Sequence, residues 1–120
     1  MHAEEKKGQP YHVQVKIQIF KEEPVLGPGI VQLLEYLEKT GSMKEACGEM
    51  CMSYSKGWKI INRAEKGLGY SLISRHHGGR AGGSCVLTEE SRQLIRKFRR
   101  IEQEVNKYTQ TICKNILGEI

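Results

Sequence analysis

A glycine-rich stretch, GGRAGGS at residues 78–84, is the first place where residue types and spacing could bind a phosphate. Glycine-rich loops hold nucleotide phosphates when they connect a strand to a helix, as in G-x-G-x-x-G or P-loop patterns. Here the glycines come in pairs around Arg80, and residues 85–87 predict a strand instead of a helix. The spacing therefore disfavours a nucleotide-binding enzyme and indicates the tip of a hairpin.

Thiols and imidazoles are the second group of residues that could do chemistry. The cysteines lie at positions 47, 51, 85 and 113, too few for a disulfide scaffold and typical of a reducing compartment. Cys47 and Cys51 could bind a metal, supplemented by Cys85, Cys113, His76 and His77. However, C-x3-C without a second close pair is a weak zinc pattern. One possible function to weigh is therefore a metal- or thiol-responsive DNA-binding switch that uses the cysteines. No cofactor is predicted.

Aspartate is absent, because all 14 acidic residues are glutamate. A Ser-His-Asp triad or an EF-hand loop would lack its usual residue, and the chain is not predicted to be an enzyme. No apolar run approaches the roughly 18–20 residues of a membrane span. The N-terminus also lacks an apolar signal region. We therefore expect a cytoplasmic protein without a membrane partner.

Positive charge is concentrated in residues 53–80. This segment contains six basic residues against one acidic residue, Glu65, and so carries the whole net charge of +5. A local field of this kind favours a polyanion as partner. The simpler alternative is an ordinary solvated face.

The elements that position these residues follow from periodicity. Strict alternation over residues 11–20 predicts a half-buried strand. Apolar spacing predicts a first helix over 30–39, and the capping box SMKE at 42–45 begins a second over about 43–50. Ser53 caps a third helix that extends to about Lys66. Its inward face is expected to contain Tyr54, Trp58, Ile61 and Ala64.

Two short strands, 70–75 and 84–87, then predict a hairpin, and Thr88 caps a long last helix. Apolar residues recur on this helix at heptad spacing, and we call them the heptad stripe: Leu94, Phe98, Ile101, Val105, Tyr108 and Ile112. A helix of about 40 Å would overhang so small a domain. The stripe therefore predicts a homodimer, unless the helix folds back on the strand or on the first helix.

Together these elements predict a mainly α (α+β) fold, a winged helix-turn-helix. We expect a single domain over residues 1–120. Its parts are a strand at 11–20, a helix-turn-helix at about 42–67, a wing at about 71–87 and a long dimerisation helix at about 89–117.

Residues 40–95 resemble the DNA-binding domain of ModE-type molybdate-responsive transcriptional regulators. The motifs that carry the resemblance are Thr40-Gly41-Ser42, Met52-Ser53-Tyr54 followed by Trp58, and paired glycines before Val86-Leu87-Thr88. The similarity covers about residues 11–108. It implies that the N-terminal strand joins the wing hairpin, that the third helix reads DNA and that the flanking helices build a homodimer.

The resemblance also implies a link to molybdenum metabolism. Full-length members of the family continue into small β-barrel domains that bind molybdate, whereas this sequence ends at Ile120. We therefore expect that molybdate does not bind this chain directly.

A recognition helix lies in the major groove of DNA with its N-terminal residues nearest the base edges. There we expect Ser53, Ser55, Lys56 and Lys59. Farther along the helix, Arg63 and Lys66 are expected to meet the DNA backbone. Ser42 and Lys44, at the start of the second helix, suit a phosphate. The Tyr54 ring is expected in the core, with its hydroxyl within reach of a phosphate.

In the wing, the expected DNA contacts are Arg75, His76, His77 and Arg80. Glycines allow close approach to the sugar-phosphate backbone, and arginine suits a narrow minor groove. The two histidines could instead be a solvated pair. Because the predicted protein is a dimer, its partner should be double-stranded DNA with a pseudo-palindromic operator.

Overall fold

The computed structural model describes residues 11–75 and 84–118. Most of this part is helical, which confirms the mainly α winged-helix class with a long last helix. Its elements in chain order are β1 (Ile19–Phe20), β2 (Pro24–Leu26), α1 (Pro28–Thr40), α2 (Met43–Glu49), α3 (Tyr54–Leu68), β3 (Ile73–Arg75), β4 (Cys85–Leu87) and α4 (Glu89–Leu117).

The chain divides into two compact units. The winged-helix unit consists of residues 16–99, and the terminal unit contains the described residues of 1–15 and 100–120. Within the terminal unit, the Gln110 side-chain amide donates a hydrogen bond of 2.7 Å to the Val13 carbonyl. None of the helices described is both long and apolar enough to cross a membrane.

Helix α1 begins two residues before its predicted start, because Pro28 occupies the first turn, where its missing N–H costs nothing. The helix ends at Gly41, which adopts a left-handed φ of 72° and donates to the Leu37 carbonyl at 2.8 Å. One face of the helix enters the core through four fully buried residues: Val31, Leu33, Leu34 and Leu37.

Two serine caps fix the helix-turn-helix, as the sequence predicted. The Ser42 hydroxyl accepts from the Glu45 backbone N–H at 3.2 Å and begins α2. The Ser53 hydroxyl does the same for Lys56 at 3.2 Å and begins α3. The turn between the helices contains Cys51 at φ 55°, a left-handed conformation that is uncommon for residues other than glycine.

Helix α3 approaches its neighbours closely at two glycines. A Cβ atom at Gly57 would lie 2.3 Å from the Cys47 sulfur on α2. A Cβ atom at Gly67 would lie 2.5 Å from Cγ1 of Val25 on β2. Both distances are shorter than carbon tolerates in a packed interior. The two glycines therefore set the depth at which α3 rests on the core.

The predicted strand over 11–20 is much shorter in the structure and has a different partner. Within the described residues, only Ile19 and Phe20 of this segment form a strand, and they pair antiparallel with β2. The wing is a separate two-stranded sheet of β3 and β4. The expectation that the N-terminal strand joins the wing hairpin is thus wrong. A three-residue turn brings β2 beside β1 at little loop-closure cost, and β2 buries Val25 and Leu26.

The base of the wing is tied to the helix-turn-helix. The Cys85 backbone N–H donates to the Gly41 carbonyl at 2.9 Å, and Ser84 forms an isolated bridge with Ser42. On the other strand, the Leu72 carbonyl accepts from the Thr88 N–H at 3.0 Å. The contacts with Gly41 and Ser42 connect β4 to the turn before α2, and the bond between Leu72 and Thr88 closes the open end of the hairpin.

Helix α4 begins at a Thr88 cap, whose hydroxyl accepts from the Ser91 N–H at 3.1 Å. Ile95 and Phe98 then enter the core of the winged-helix unit. Two ion pairs fasten the same stretch of α4 to α1. They join Arg92 to Glu38 at 2.7 Å and Arg99 to Glu35, the latter through both carboxylate oxygens.

Candidate nucleic-acid interface

Helix α3 has one buried face and one exposed basic face. Gly57, Ile61 and Ala64 are buried and hold the helix on the core. On the outer side the exposed residues include the four cations of the helix, which we call the basic face: Lys56, Lys59, Arg63 and Lys66. Ser55 and Asn62 are exposed as well. The structure therefore brings the predicted recognition residues of α3 together on one solvent-facing surface.

The single acidic residue of α3, Glu65, binds the backbone at the start of the wing. Its Oε2 atom accepts hydrogen bonds from the backbone N–H groups of Leu72 at 2.8 Å and Ile73 at 3.3 Å. Because the carboxylate is bound to the first residues of the wing, it links α3 to β3. The negative charge of α3 thus fixes the wing, while the positive charges face solvent.

Tyr54 differs from its expected place in the core, because it is 52% exposed. Its ring contacts Trp58 edge to face, with centroids 6.3 Å apart and planes at 77°. Trp58 is half-buried and packs against the core, as expected of an inward residue. Tyr54 lies in the first turn of α3, where Trp58 packs against the core and the Tyr54 ring lies outside it. The phenol group is consequently accessible at the start of the basic face.

The two capping serines remain able to bind a phosphate. Each hydroxyl accepts one backbone hydrogen bond and keeps its own proton for donation. Lys44 is exposed in the first turn of α2, two residues after Ser42. The geometry is therefore compatible with the predicted phosphate contacts of Ser42 and Lys44 and with the predicted DNA contact of Ser53 near the base edges.

Of the predicted DNA-contact residues of the wing, only Arg75 lies within the described residues. Arg75 is the last residue of β3, with its backbone opposite Cys85. His76, His77 and Arg80 lie outside the described residues, so their DNA contacts stay predictions.

Two lysines that the sequence did not single out lie beside the basic face. Lys16 lines a cleft together with Lys56 and Lys59, and Lys21 lines a second cleft with Lys66. They were missed because the segment 11–20 was assigned to the wing sheet, whereas Lys16 and Lys21 line clefts beside α3. The alternation of the segment indicated its type but not its neighbour.

Three of the four cysteines, Cys47, Cys85 and Cys113, are buried, and only Cys51 is exposed. Burial raises the pKa of the Cys47 thiol, and a hydrogen bond from the Gly57 backbone opposes this in part. Across residues 11–75 and 84–118, no group of three or more potential metal ligands comes together. His76 and His77, which the predicted metal site would include, lie outside these ranges.

The heptad stripe on α4 is divided between core and surface. Phe98 is fully buried and Leu94 packs against the core of the winged-helix unit, so neither side chain is available to a second chain. Ile101 is 41% exposed, Tyr108 69% and Ile112 36%. Val105 is half-buried. Only the C-terminal part of the stripe presents an apolar surface to solvent.

Known proteins similar to this chain include two whose names contain molybdenum. The molybdenum-pterin-binding protein MopB of Rhodobacter capsulatus is 31% identical over 91 residues, which are 76% of this chain and 34% of that protein. The molybdenum transport protein ModE of Azotobacter vinelandii is 32% identical over 74 residues, 62% of this chain and 27% of that protein.

The DNA-binding transcriptional dual regulator ModE of Escherichia coli K12 is 30% identical over 71 residues, 59% of this chain and 27% of that protein. No protein-family model matches the chain. The chain spans about a third of the length of the curated relatives it matches. Over the aligned residues the chain is similar in sequence to ModE regulators and Mop proteins.

Proposed function

We propose that the chain is a sequence-specific DNA-binding transcriptional regulator of the ModE type. The observation that carries the proposal is the basic face of α3, where four cations are exposed on a helix whose single carboxylate is bound to the wing backbone. A helix-turn-helix with this charge arrangement fits the major groove and the flanking phosphates of DNA. The function is positional, and no bond is made or broken.

The residues divide by role along the helix. Ser55, Lys56 and Lys59 lie in the first half of α3 and are proposed to face base edges, where lysine can donate to the acceptors of guanine. Arg63 and Lys66 lie in the second half and are proposed to neutralise phosphates. Phosphate contacts supply affinity and base contacts supply specificity, so substitutions in the two halves should have different effects.

We propose that the active form is a homodimer on a pseudo-palindromic operator. The exposed part of the heptad stripe supports this, because Ile101, Tyr108 and Ile112 lie at spacings that suit a second apolar helix. A two-fold dimer would present two recognition helices to half-sites separated by about one helical turn or a multiple of it.

A link to molybdenum metabolism is proposed from the names of two relatives, a molybdenum-pterin-binding protein and a molybdenum transport protein. The proposal concerns the genes that are regulated and does not include direct molybdate binding by this chain.

Selection of bound fragments from the source genome, with and without molybdate, tests the proposal. Enriched fragments should share an inverted repeat and lie near genes of molybdenum metabolism. No enrichment over random DNA at moderate salt would contradict the proposed function.

Matched lysine variants then test the interface. Lys66→Ala should weaken binding to all sequences alike and reduce the slope of log affinity against log salt by about one unit. Lys59→Ala should also reduce the preference for the selected operator. Lys97→Ala removes an exposed lysine of α4 and serves as the control. Equal losses of DNA affinity in all three variants would indicate nonspecific attraction of DNA to the whole protein surface and would contradict the proposed interface.

A further inference from the structure

A cleft of about 400 Å³ runs along one flank of α3 within the winged-helix unit. Its walls are the segment around Lys16, the stretch from β2 to the start of α1, and the side of α3 that contains Lys56, Ile60 and Arg63. This volume is within the range of clefts that hold small organic molecules, roughly 300–1,000 Å³.

The charge of the cleft selects for an anion. Four of its lining residues are basic, namely Lys16, Lys56, Lys59 and Arg63, and none of the described lining residues is acidic. Helix α1 also begins at this wall with no side-chain cap and no acidic residue in its first turn, so its positive end is not neutralised locally. A cation would be repelled here, whereas a carboxylate or sulfonate would be attracted.

The rest of the lining is apolar, which distinguishes this cleft from a simple phosphate site. Leu26 is 2% exposed at its floor, and Met52, Ile30 and Ile60 are half-buried around it. Apolar surface contributes to binding only when the ligand has an apolar body to cover it. Neither a free oxyanion nor the sugar-phosphate backbone of DNA has such a body.

We propose that this cleft binds a small organic anion with an apolar body and one carboxylate or sulfonate group. Lys56, Lys59 and Arg63 belong both to the cleft and to the basic face. The bound anion therefore competes with DNA for these three cations, and its binding releases the protein from DNA. The competition rests on the proposed function, whereas the binding site does not.

Two related probes test the ligand class without knowledge of the natural ligand. The first is 1-anilinonaphthalene-8-sulfonate, an amphipathic anion whose fluorescence rises in apolar surroundings. The second is N-phenyl-1-naphthylamine, which has the same aromatic body without the sulfonate. We expect saturable binding of the anion at one site per chain, at least about ten-fold tighter than the neutral probe. Equal affinity for both probes would overturn the anion site.

A glycine substitution tests the location. Gly29 lines the cleft, and a Cβ atom there would meet nothing within 4 Å, so the Gly29→Leu side chain has room to occupy the cleft. Gly48→Leu is the matched control, because Gly48 is equally open but lies on α2 outside the cleft. Gly29→Leu should lower the affinity for the anionic probe by at least about ten-fold. Gly48→Leu should leave that affinity unchanged.

A second variant and a second measurement guard against misfolding. Lys16→Gln removes a cation of the cleft that does not lie on α3, and it should weaken the anionic probe but not the neutral one. In amide NMR spectra of the full chain, the probe should shift Gly27, Gly29 and Ile30. Undiminished binding to Gly29→Leu with a native spectrum would overturn the site.

The DNA measurements separate this proposal from the proposed function. Saturating anionic probe should raise the dissociation constant of the operator complex by at least about ten-fold in the unmodified chain and not in Gly29→Leu. If the probe binds the cleft but no DNA binds under any condition, the proposed function fails and the site stands. If DNA stays bound while the probe occupies the cleft, the competition is overturned. If Gly29→Leu loses DNA as well as probe, the cleft is part of the DNA surface and the small-molecule site is overturned.

Discussion

The Glu65 carboxylate accepts a hydrogen bond of 2.8 Å from the backbone N–H of Leu72. This contact joins α3 to the wing, and a second bond of 3.3 Å from the Ile73 N–H reinforces it. Both wing residues are almost completely buried, so their amides have little access to water. A single carboxylate therefore sets the position of β3 relative to α3.

Removal of this carboxylate should destabilise the protein. Glu65→Ala is expected to lower the free energy of unfolding by about 1.5–3 kcal/mol, because two poorly solvated amides lose a charged acceptor. Glu65→Gln keeps an acceptor oxygen and should cost only about 0.5–1.5 kcal/mol. Urea unfolding followed by the fluorescence of Trp58, the single tryptophan, measures both. Equal losses of unfolding free energy in the two variants, both below about 0.5 kcal/mol, would show that the hydrogen bond does not contribute to stability.

Close packing at Gly57 predicts a steric penalty. Gly57→Ala should lower the free energy of unfolding by about 1–3 kcal/mol, because the new methyl group would lie 2.3 Å from the Cys47 sulfur and 3.3 Å from the Met43 sulfur. Gly48→Ala, at an open helical position, should instead stabilise by about 0.5–1 kcal/mol. Urea unfolding measures both variants.

A double-mutant cycle identifies the cause. In a Cys47→Ala background the sulfur is absent, so Gly57→Ala should cost at least about 1 kcal/mol less than in the unmodified chain. If the cost is the same in both backgrounds, the contact with Cys47 is not its source.

The raised pKa of Cys47 predicts a loss of stability at alkaline pH. Burial favours the neutral thiol in the folded chain, whereas in the unfolded chain the thiol ionises near its ordinary pKa of about 8.5. The stabilisation is therefore complete below that value and is lost as the pH rises toward the folded pKa. The loss is at most about 1.4 kcal/mol per pH unit.

The pH effect is measured as the difference between unfolding free energies at pH 7.5 and 9.5. The decrease should be larger in the unmodified chain than in Cys47→Ala, since all other titrating groups are shared. Parallel decreases in the two proteins would contradict the assignment to this thiol.

The exposed part of the heptad stripe predicts a dimer that a single charge disrupts. Light scattering should give twice the chain mass of 13.7 kDa for the unmodified protein. Ile112→Glu should give the monomer mass, because a buried unpaired carboxylate is costly in an apolar helix interface. Lys114→Glu changes an exposed position two residues away and should remain dimeric. A monomeric unmodified protein would contradict the predicted homodimer.

The features that the sequence predicted correctly depend on neighbouring residues. Ser42, Ser53 and Thr88 cap their helices because each hydroxyl meets a backbone N–H three residues later, a distance that the local geometry fixes. The basic face of α3 was also predictable, because helical periodicity decides which side of a helix a residue occupies.

The features that were missed depend on residues far apart in the chain. The alternation of residues 11–20 identifies a strand type but contains no information on its partner, and pairing with the nearby β2 prevailed over the wing. The contact of Glu65 with Leu72 and the cleft beside Lys16 both require elements to meet in space. The sequence did not single out Gly57, although its missing side chain is what allows Cys47 to approach.

The hydrogen bond from the Cys85 N–H to the Gly41 carbonyl has a consequence for protein engineering. A ladder of three residues on each side, as in β3 and β4, is marginal when it stands alone. Its attachment to the turn before α2 adds stability to this short ladder. Residues 76–83 can therefore be exchanged for loops of other sequences between two fixed ends. The wing is therefore a site where new loops can be grafted while α3 stays unchanged.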